Sequence, residues 1–120
     1  MLRAMSTKLR KVGATAVLEV EGKLKMGDAV DQFRARWTEA IGEGARVVVI
    51  NLQGVPMIDS SGLGSLMRCY SSLHAVGGKV KLAGSTEVVR QLLAVTQLER
   101  LFEFYDDENT ALASVAAASA

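Results

Sequence analysis

The residues best suited to chemistry in this sequence are three consecutive oxygen-bearing side chains, Asp59, Ser60 and Ser61, which two glycines follow closely. They stand between the β-branched run at 47–50 and an apolar repeat with helical spacing. At the first turn of a helix the backbone N–H groups lack intrahelical partners and the dipole is positive, so carboxylate, hydroxyl or phosphate oxygens are stabilised there. The segment therefore predicts a helix amino terminus able to hold oxygen-rich side chains or a phosphate.

Two interpretations of this segment stay open at the level of the residues. In the simpler one, one of the three side chains only caps the helix, which typically contributes about 1 kcal/mol. In the other, the surface needs bare backbone, because Gly62 and Gly64 lie in the first helical turn and each costs up to about 1 kcal/mol relative to alanine. Close approach of another protein or of a phosphate would supply that need.

A catalytic or metal-binding interpretation lacks the necessary residues. His74 is the single histidine and would have to act as base for a serine nucleophile, while the G-x-S-x-G motif is absent. Cys69 is the single cysteine, so one chain cannot form a disulfide or a Cys/His metal cluster. Gly77-Gly78-Lys79 lacks the spacing of a phosphate-binding P-loop. We expect no enzymatic activity, no metal and no cofactor.

Composition favours one domain over residues 1–120, with frayed tails at 1–6 and about 115–120. A chain of 120 residues that is 49% hydrophobic and 22% charged can bury one core. The net charge of +1 is spread in mixed signs, without the basic stripe that nucleic acid binding requires. The apolar runs are too short to cross a membrane, and residues 1–10 lack a hydrophobic signal core. The single cysteine suits a reducing cytoplasm.

The periodicity predicts an α/β fold in which crossover helices follow an opening hairpin. Alternating or β-branched runs predict two strands within 8–21, a buried strand at 47–50, and further strands at 79–82 and 102–104. Helical spacing predicts helices at 28–41 and 63–73, a third that Ser85 or Thr86 caps, and a fourth from 106. We expect a mixed, mostly parallel β-sheet of about 4–5 strands, with about four α-helices packed mainly on one face.

The stretch 47–66, VVVINLQGVPMIDSSGLGSL, resembles a signature of the STAS family. In the anti-sigma-factor antagonists of that family the signature is close to D-L-x-x-V-x-x-M/I-D-S-S/T-G-L-G. Asn51-Leu52, Val55 and the run 57–64 match it. A weaker likeness extends through Gly22-Lys23-Leu24 and through residues 98–105, LERLFEFY.

The resemblance implies a phosphorylation site and a face for a protein partner. In the family, a serine kinase of the histidine-kinase-like ATPase fold, which is also the anti-sigma factor, modifies the serine directly after the aspartate. This implies Ser60, with Ser61 as a minor candidate. The expected partner-binding residues are Asp59, Ser60, Ser61, Gly62, Leu63, Gly64, Met67, Gly22, Leu24, Lys25, Ser85 and Thr86.

The function implied by the resemblance is a bacterial partner switch. Unphosphorylated protein, as a monomer or weak dimer, would bind the anti-sigma kinase and release its sigma factor, and a PP2C-type serine phosphatase would reset the switch. Asn51 and Lys25 depart from the family pattern and are expected to remove negative charge near the docking face. A constitutive STAS subunit of a signalling scaffold or of a lipid-transport ATPase complex is the alternative.

Overall fold

Strands and helices alternate along the chain in the computed structural model, which describes residues 5–119. The strands are β1 (Ser6–Val12), β2 (Thr15–Glu21), β3 (Val47–Gly54), β4 (Lys79–Ala83) and β5 (Glu103–Tyr105). The helices are α1 (Asp28–Gly42), α2 (Ser60–His74), α3 (Glu87–Val95) and α4 (Glu108–Ser119), and a 3-10 helix spans Leu98–Leu101. Every predicted strand and helix is present in this part of the chain.

The two ends of the described region belong to regular elements. β1 begins at Ser6 and α4 extends to Ser119. The frayed tails expected at 1–6 and about 115–120 stay a prediction, and residues 1–4 and 120 lie outside the described residues.

The strands form one sheet in the order β1-β2-β3-β4-β5. β1 and β2 are an antiparallel hairpin that turns at Gly13, where φ is +64°, a value that glycine adopts without strain. The pairs β2–β3, β3–β4 and β4–β5 are parallel, and each is joined by a connection that contains a helix. The predicted mixed, mostly parallel sheet is therefore confirmed.

The larger core lies on the face of the sheet that α1, α2 and α3 cover. Leu18, Ile50 and Leu82 stand side by side on β2, β3 and β4, and all three are fully buried. Helix residues such as Phe33 and Leu66 belong to the same apolar cluster. Because side chains alternate along a strand, the neighbouring residues point to the opposite face, where α4 packs through Ala111. Three helices on one face and one on the other match the predicted arrangement.

The α4 face contains a buried lysine. Lys81 Nζ donates hydrogen bonds to Glu103 Oε1 at 2.8 Å and to the Tyr105 hydroxyl at 3.1 Å. Burial lowers the pKa of Lys81, but the bonds to Glu103 and Tyr105 outweigh it and raise the pKa overall. The bond from Lys81 in turn lowers the pKa of Glu103. Lys81 is therefore a charged residue of the interior, with the partners that such a position requires.

Two lysines that contact the same carboxylate allow a matched test of this cluster. The Lys81 side chain is 6% exposed, whereas that of Lys79, whose Nζ lies 3.8 Å from Glu103 Oε2, is 66% exposed. We expect Lys81→Gln to lower the free energy of unfolding by about 1–3 kcal/mol, because buried hydrogen bonds of a charged group are lost. Lys79→Gln should change it by less than about 0.5 kcal/mol. Urea unfolding of both variants checks this, and equal effects would contradict it.

Candidate functional site

Asp59 joins the start of α2 to the turn that follows β2. As the N-cap of α2, its Oδ1 accepts a hydrogen bond from the Gly62 N–H at 2.8 Å. Its Oδ2 accepts one from the Met26 N–H at 2.9 Å. These two N–H groups, that of Met26 first, lower the pKa of the Asp59 carboxyl. The sequence predicted a cap among three candidates, and the structure assigns it to Asp59.

Ser60 is the first residue of α2, and it is exposed. Among the described residues, no group hydrogen-bonds the hydroxyl of Ser60 or that of the half-buried Ser61. Because Asp59 supplies the cap, neither serine is needed for it. The exposed hydroxyl of Ser60 thus lies at the positive end of the helix dipole, where an added phosphate is electrostatically favoured.

The turn 22–27 is fixed beside the loop that leads into α2. The Gly22 N–H donates to the Gly54 carbonyl at 2.9 Å, and the Leu24 N–H donates to the Met57 carbonyl at 3.0 Å. The Asp59 N–H returns a bond to the Leu24 carbonyl at 3.2 Å. Backbone hydrogen bonds therefore hold the turn and the α2 amino terminus as one surface.

Two residues expected to touch a partner lie inside the protein instead. The Leu24 side chain is 1% exposed and belongs to the main core. Gly62 is buried, and a Cβ built on it would lie 2.3 Å from the Leu24 carbonyl oxygen and 2.8 Å from Ile58 Cγ2. The glycine is required by this internal packing, so the surface explanation was wrong for Gly62. The two residues support the surface from beneath.

Gly64 differs from Gly62 because it has open space around it. The nearest atom to a Cβ built there is Arg68 Nη1, at 3.7 Å, which is an ordinary contact distance. No packing inside the described fold requires a glycine at this position. The expectation of bare backbone at the surface therefore stays open for Gly64 alone. Leu63 and Met67, on the same helix, are half-buried and pack against the core.

Met26 is a surface residue that the sequence reasoning missed. Its side chain is 74% exposed, next to the exposed Lys25, although its backbone N–H is fixed to Asp59. A single exposed apolar side chain is common, but this one extends from a rigid turn beside Ser60. The available signal was a large apolar residue between Lys25 and Gly27 in a polar turn.

The loop before α3 is attached to the same region. Thr86 Oγ1 caps α3 by accepting from the Val89 N–H at 3.4 Å, and it donates to the Val55 carbonyl at 3.1 Å. The hydroxyl oxygen of Ser85 is buried and has no hydrogen-bond partner among the described residues. Of the two predicted caps, Thr86 is the one used, and it ties α3 to the loop between β3 and α2.

Asn51 lies on the other face of the sheet, so its expected effect on the docking face was wrong. Its Nδ2 donates to Glu108 Oε1 of α4 at 3.3 Å, and its Oδ1 accepts from the Gln53 N–H at 3.0 Å. The neighbouring Leu52 points into the core beneath the helices, because side chains alternate along β3. Lys25 is exposed beside Met26, on the same turn as the site.

The single cysteine and the single histidine both lie on α2, one buried and one exposed. Burial raises the pKa of the Cys69 thiol to about 12, so this cysteine is an inert core residue. His74 is exposed, and its ring stacks on Tyr70 with the centroids 5.6 Å apart. Within residues 5–119, no three His, Cys, Asp or Glu side chains are placed to hold a metal ion. None of the described helices is both long and apolar enough to cross a membrane.

A family comparison agrees with this geometry. The model of the STAS domain family matches residues 6–111, which include every strand of the sheet and the whole of α2. The chain belongs to the STAS family. Two relatives are similar to this STAS domain. The anti-sigma F factor antagonist of Lysinibacillus sphaericus is 33% identical over 85 residues, which cover 70% of this chain and 72% of the relative. The anti-sigma F factor antagonist of Paenibacillus polymyxa is 30% identical over 83 residues, which cover 68% of this chain and 71% of the relative.

Two solved structures connect the STAS fold to phosphorylation in a related protein. The anti-sigma factor antagonist SpoIIAA in its unphosphorylated form is 28% identical, with a TM-score of 0.81 over 93% of this chain and 97% of that one. The Bacillus cell fate determinant SpoIIAA in the phosphorylated form is also 28% identical, with a TM-score of 0.75 over 92% and 99%. The STAS domain described here is thus similar to antagonists of anti-sigma factors.

The two glycines of α2 give a matched pair for stability measurements. We expect Gly62→Ala to destabilise the fold by about 2–3 kcal/mol, because the new methyl group would overlap the Leu24 carbonyl and the surroundings must shift. Gly64→Ala should stabilise it by up to about 1 kcal/mol, because alanine is the better helix former. Urea unfolding checks both, and a destabilising Gly64→Ala or a neutral Gly62→Ala would contradict the assignment.

The hydrogen bonds of the Asp59 carboxyl predict that the free energy of unfolding depends on pH. The pKa of this carboxyl is lowered in the folded state, so its stabilising contribution is present above the pKa of the unfolded state and is lost as the pH falls through the folded value. The stability difference between wild type and Asp59→Asn should be largest at neutral pH and shrink below the ordinary aspartate pKa of about 3.9. Urea unfolding of both proteins, from pH 7 down to acidic pH, measures this difference in stability. A difference that does not change with pH would refute the stabilising role of the ionised Asp59 carboxyl.

Proposed function

We propose that this STAS domain is an anti-sigma-factor antagonist controlled by phosphorylation of Ser60. In the unphosphorylated state it binds a cognate anti-sigma factor, a serine kinase of the histidine-kinase-like ATPase fold, and so releases the sigma factor. The kinase phosphorylates Ser60 and ends the interaction, and a PP2C-type phosphatase restores it in the bacterial cytoplasm. The domain itself performs no catalysis.

The observation that carries this proposal is the state of Ser60. Its side chain is exposed at the first position of α2, and its hydroxyl has no hydrogen-bond partner in the described part of the chain. A kinase therefore breaks no internal interaction when it transfers a phosphate to this oxygen. Ser61 is half-buried behind it and is less accessible. The serine also occupies the position after Asp59 that the family motif reserves for phosphorylation.

The surroundings of Ser60 favour a close-packed interface with a protein. Asp59 and the backbone bonds of the turn 22–27 hold the backbone of Met26, whose side chain is exposed, beside the helix start. Gly64 leaves bare backbone one turn further along α2. A surface fixed before binding loses little conformational entropy when a partner docks. Lys25 would add a positive charge to the contact, so it favours a partner with acidic groups opposite this turn.

Phosphorylation can switch such an interface because it changes both charge and hydration. A phosphate adds about 1.5–2 negative charges, which a contact packed against a bare hydroxyl does not accommodate. For the partner to be almost fully bound before phosphorylation and almost fully released after it, the free energy of binding must differ by about 5.5 kcal/mol between the two forms. Partial release requires a smaller difference. The related SpoIIAA, solved in both phosphorylation states, keeps a fold similar to this one in each. This similarity supports a switch that acts through local electrostatics, without a change of fold.

Variants at Ser60 test the switch directly. We expect Ser60→Ala to keep the kinase-fold partner and Ser60→Asp to bind it at least about tenfold more weakly, a difference of about 1.4 kcal/mol. Affinity capture from the native cells and titration with the purified partner give the two values. Ser114 lies on α4 at the other face of the sheet and supplies the matched controls. Ser114→Ala and Ser114→Asp should bind within about twofold of wild type, since a twofold change is only about 0.4 kcal/mol.

Peptide mapping completes this test. The protein isolated from its own cells should carry phosphate on the peptide that contains Ser60, and phosphatase treatment should remove it. Absence of phosphate under all growth conditions, together with equal binding by both Ser60 variants, would overturn the proposed function. That result would leave a constitutive interaction domain.

A further inference from the structure

A groove between α1 and α2 lies beside the proposed docking face and has a distinct chemical character. Arg34 and Thr38 line it from α1, at positions i and i+4 of the helix, and Arg68 and Ser72 line it from α2 with the same spacing. The hydroxyl of Ser71 adds a further hydrogen-bonding group. Two guanidinium groups and three hydroxyls are therefore brought to one surface.

The two arginines of this groove are not used by the fold. Neither Arg34 nor Arg68 makes a hydrogen bond or an ion pair with any residue of the described chain, and both are exposed. The neighbouring Arg36 behaves differently, because its Nη1 lies 2.6 Å from Glu39 Oε1. The carboxylate nearest in sequence is Asp31, three residues before Arg34 on α1, and it pairs with neither arginine among the described residues. The charges of Arg34 and Arg68 therefore stay uncompensated by partners in this part of the chain.

Among the described residues, no carboxylate that lines the groove opposes these charges. None of the described residues that line it is acidic, and the sequence of α2 from Ser60 to His74 contains neither aspartate nor glutamate. The chain as a whole has a net charge of only +1, so this local excess of positive charge is a property of the site and not of the composition. A groove with this balance attracts negatively charged groups.

The groove also offers apolar contact and is continuous with the region around Ser60. Met67 and the edge of the buried Trp37 line it, and Met67 belongs to the proposed docking face. Arg68 bends back along α2, so that its Nη1 lies 3.7 Å from the Cβ position of Gly64. Ser60, Gly64 and Arg68 succeed one another at four-residue spacing on the same side of the helix. A polypeptide bound at Ser60 can therefore continue into the groove.

We infer that this groove binds an acidic segment of the docking protein. Glutamate or aspartate side chains of the segment pair with the two guanidinium groups, for which arginine has the matching fork of donors. Its backbone and apolar side chains contact the hydroxyls and Met67. The inference rests on the proposed function in that the segment belongs to the anti-sigma factor, and it adds an attachment point that does not depend on the phosphorylation state of Ser60.

A short acidic peptide tests the groove without the partner. The probe is acetylated hexaglutamate, titrated into the ¹⁵N-labelled full chain at low salt. We expect saturable shifts of the Trp37 indole N–H and of amides along the facing sides of α1 and α2. Trp37 is the only tryptophan, so its indole signal is unambiguous. High salt should weaken the binding, because the pairs are exposed and screened.

Charge-matched variants distinguish binding in the groove from non-specific electrostatic attraction to the protein. Arg34→Gln together with Arg68→Gln should bind hexaglutamate about tenfold more weakly, as expected for the loss of two exposed ion pairs. Arg46→Gln together with Arg100→Gln removes the same charge outside the groove, and it should bind as wild type does. Both double variants change exposed side chains, and thermal unfolding verifies that each is folded.

The results that would overturn the inference are distinct from those that test Ser60. Equal weakening in the two double variants, or shifts away from the groove, would show a non-specific effect. Inorganic phosphate that shifts the same signals at least as strongly would identify a small-anion site, and sedimentation of a dimer that masks the groove would make a second copy its occupant. If hexaglutamate does not bind but Ser60→Asp still loses the partner, the assignment of the groove is wrong and the proposed function stands.

Discussion

The pair of hydrogen bonds accepted by the Asp59 carboxylate organises this protein's surface. One oxygen closes the first turn of α2, and the other holds the turn after β2 through the Met26 N–H. Without this bridge, the helix end that carries the exposed Ser60 would be joined to the neighbouring turn only through backbone bonds such as those of Leu24. With it, two segments separated by more than thirty residues form one surface. The carboxylate thus acts on the geometry around the serine, and it does not act on the serine hydroxyl itself.

Much of the fold follows from short-range patterns in the sequence. The β-branched run at 47–50, buried on both faces in β3, and the apolar spacing of α1 and α2 were sufficient to predict their elements. The capping residue of α2 was harder to predict, because Asp59, Ser60 and Ser61 are all of types that cap helices well. In the structure Asp59 is the cap, and it also accepts a bond from the distant Met26 N–H. The 3-10 helix at Leu98–Leu101 left no periodic signal, since it is a single turn held by neighbouring structure.

The site illustrates what a motif does not reveal. Gly62 and Gly64 look equivalent in the sequence, yet a Cβ at Gly62 would overlap the Leu24 carbonyl, whereas one at Gly64 would make only an ordinary contact with Arg68. Leu24 was expected at the surface because the family resemblance assigns its turn to the docking face, and it is instead part of the core. Asn51 was expected near the docking face, but the alternation of β3 directs it to α4. In each case the answer depends on contacts between segments distant in sequence, which a local pattern does not contain.

The burial of Cys69 gives the fold an internal reporter. The thiol lies in the core beneath α2, its pKa is raised to about 12, and the chain has no other cysteine. A thiol reagent reacts with the thiolate, which is scarce at neutral pH while the helix is packed on the sheet. Labelling of the native chain therefore proceeds only when α2 separates from its neighbours, and its rate measures how often that happens. The Cys69 sulfur, on the buried side of the helix that exposes Ser60, thus reports how often this helix separates from the rest of the fold.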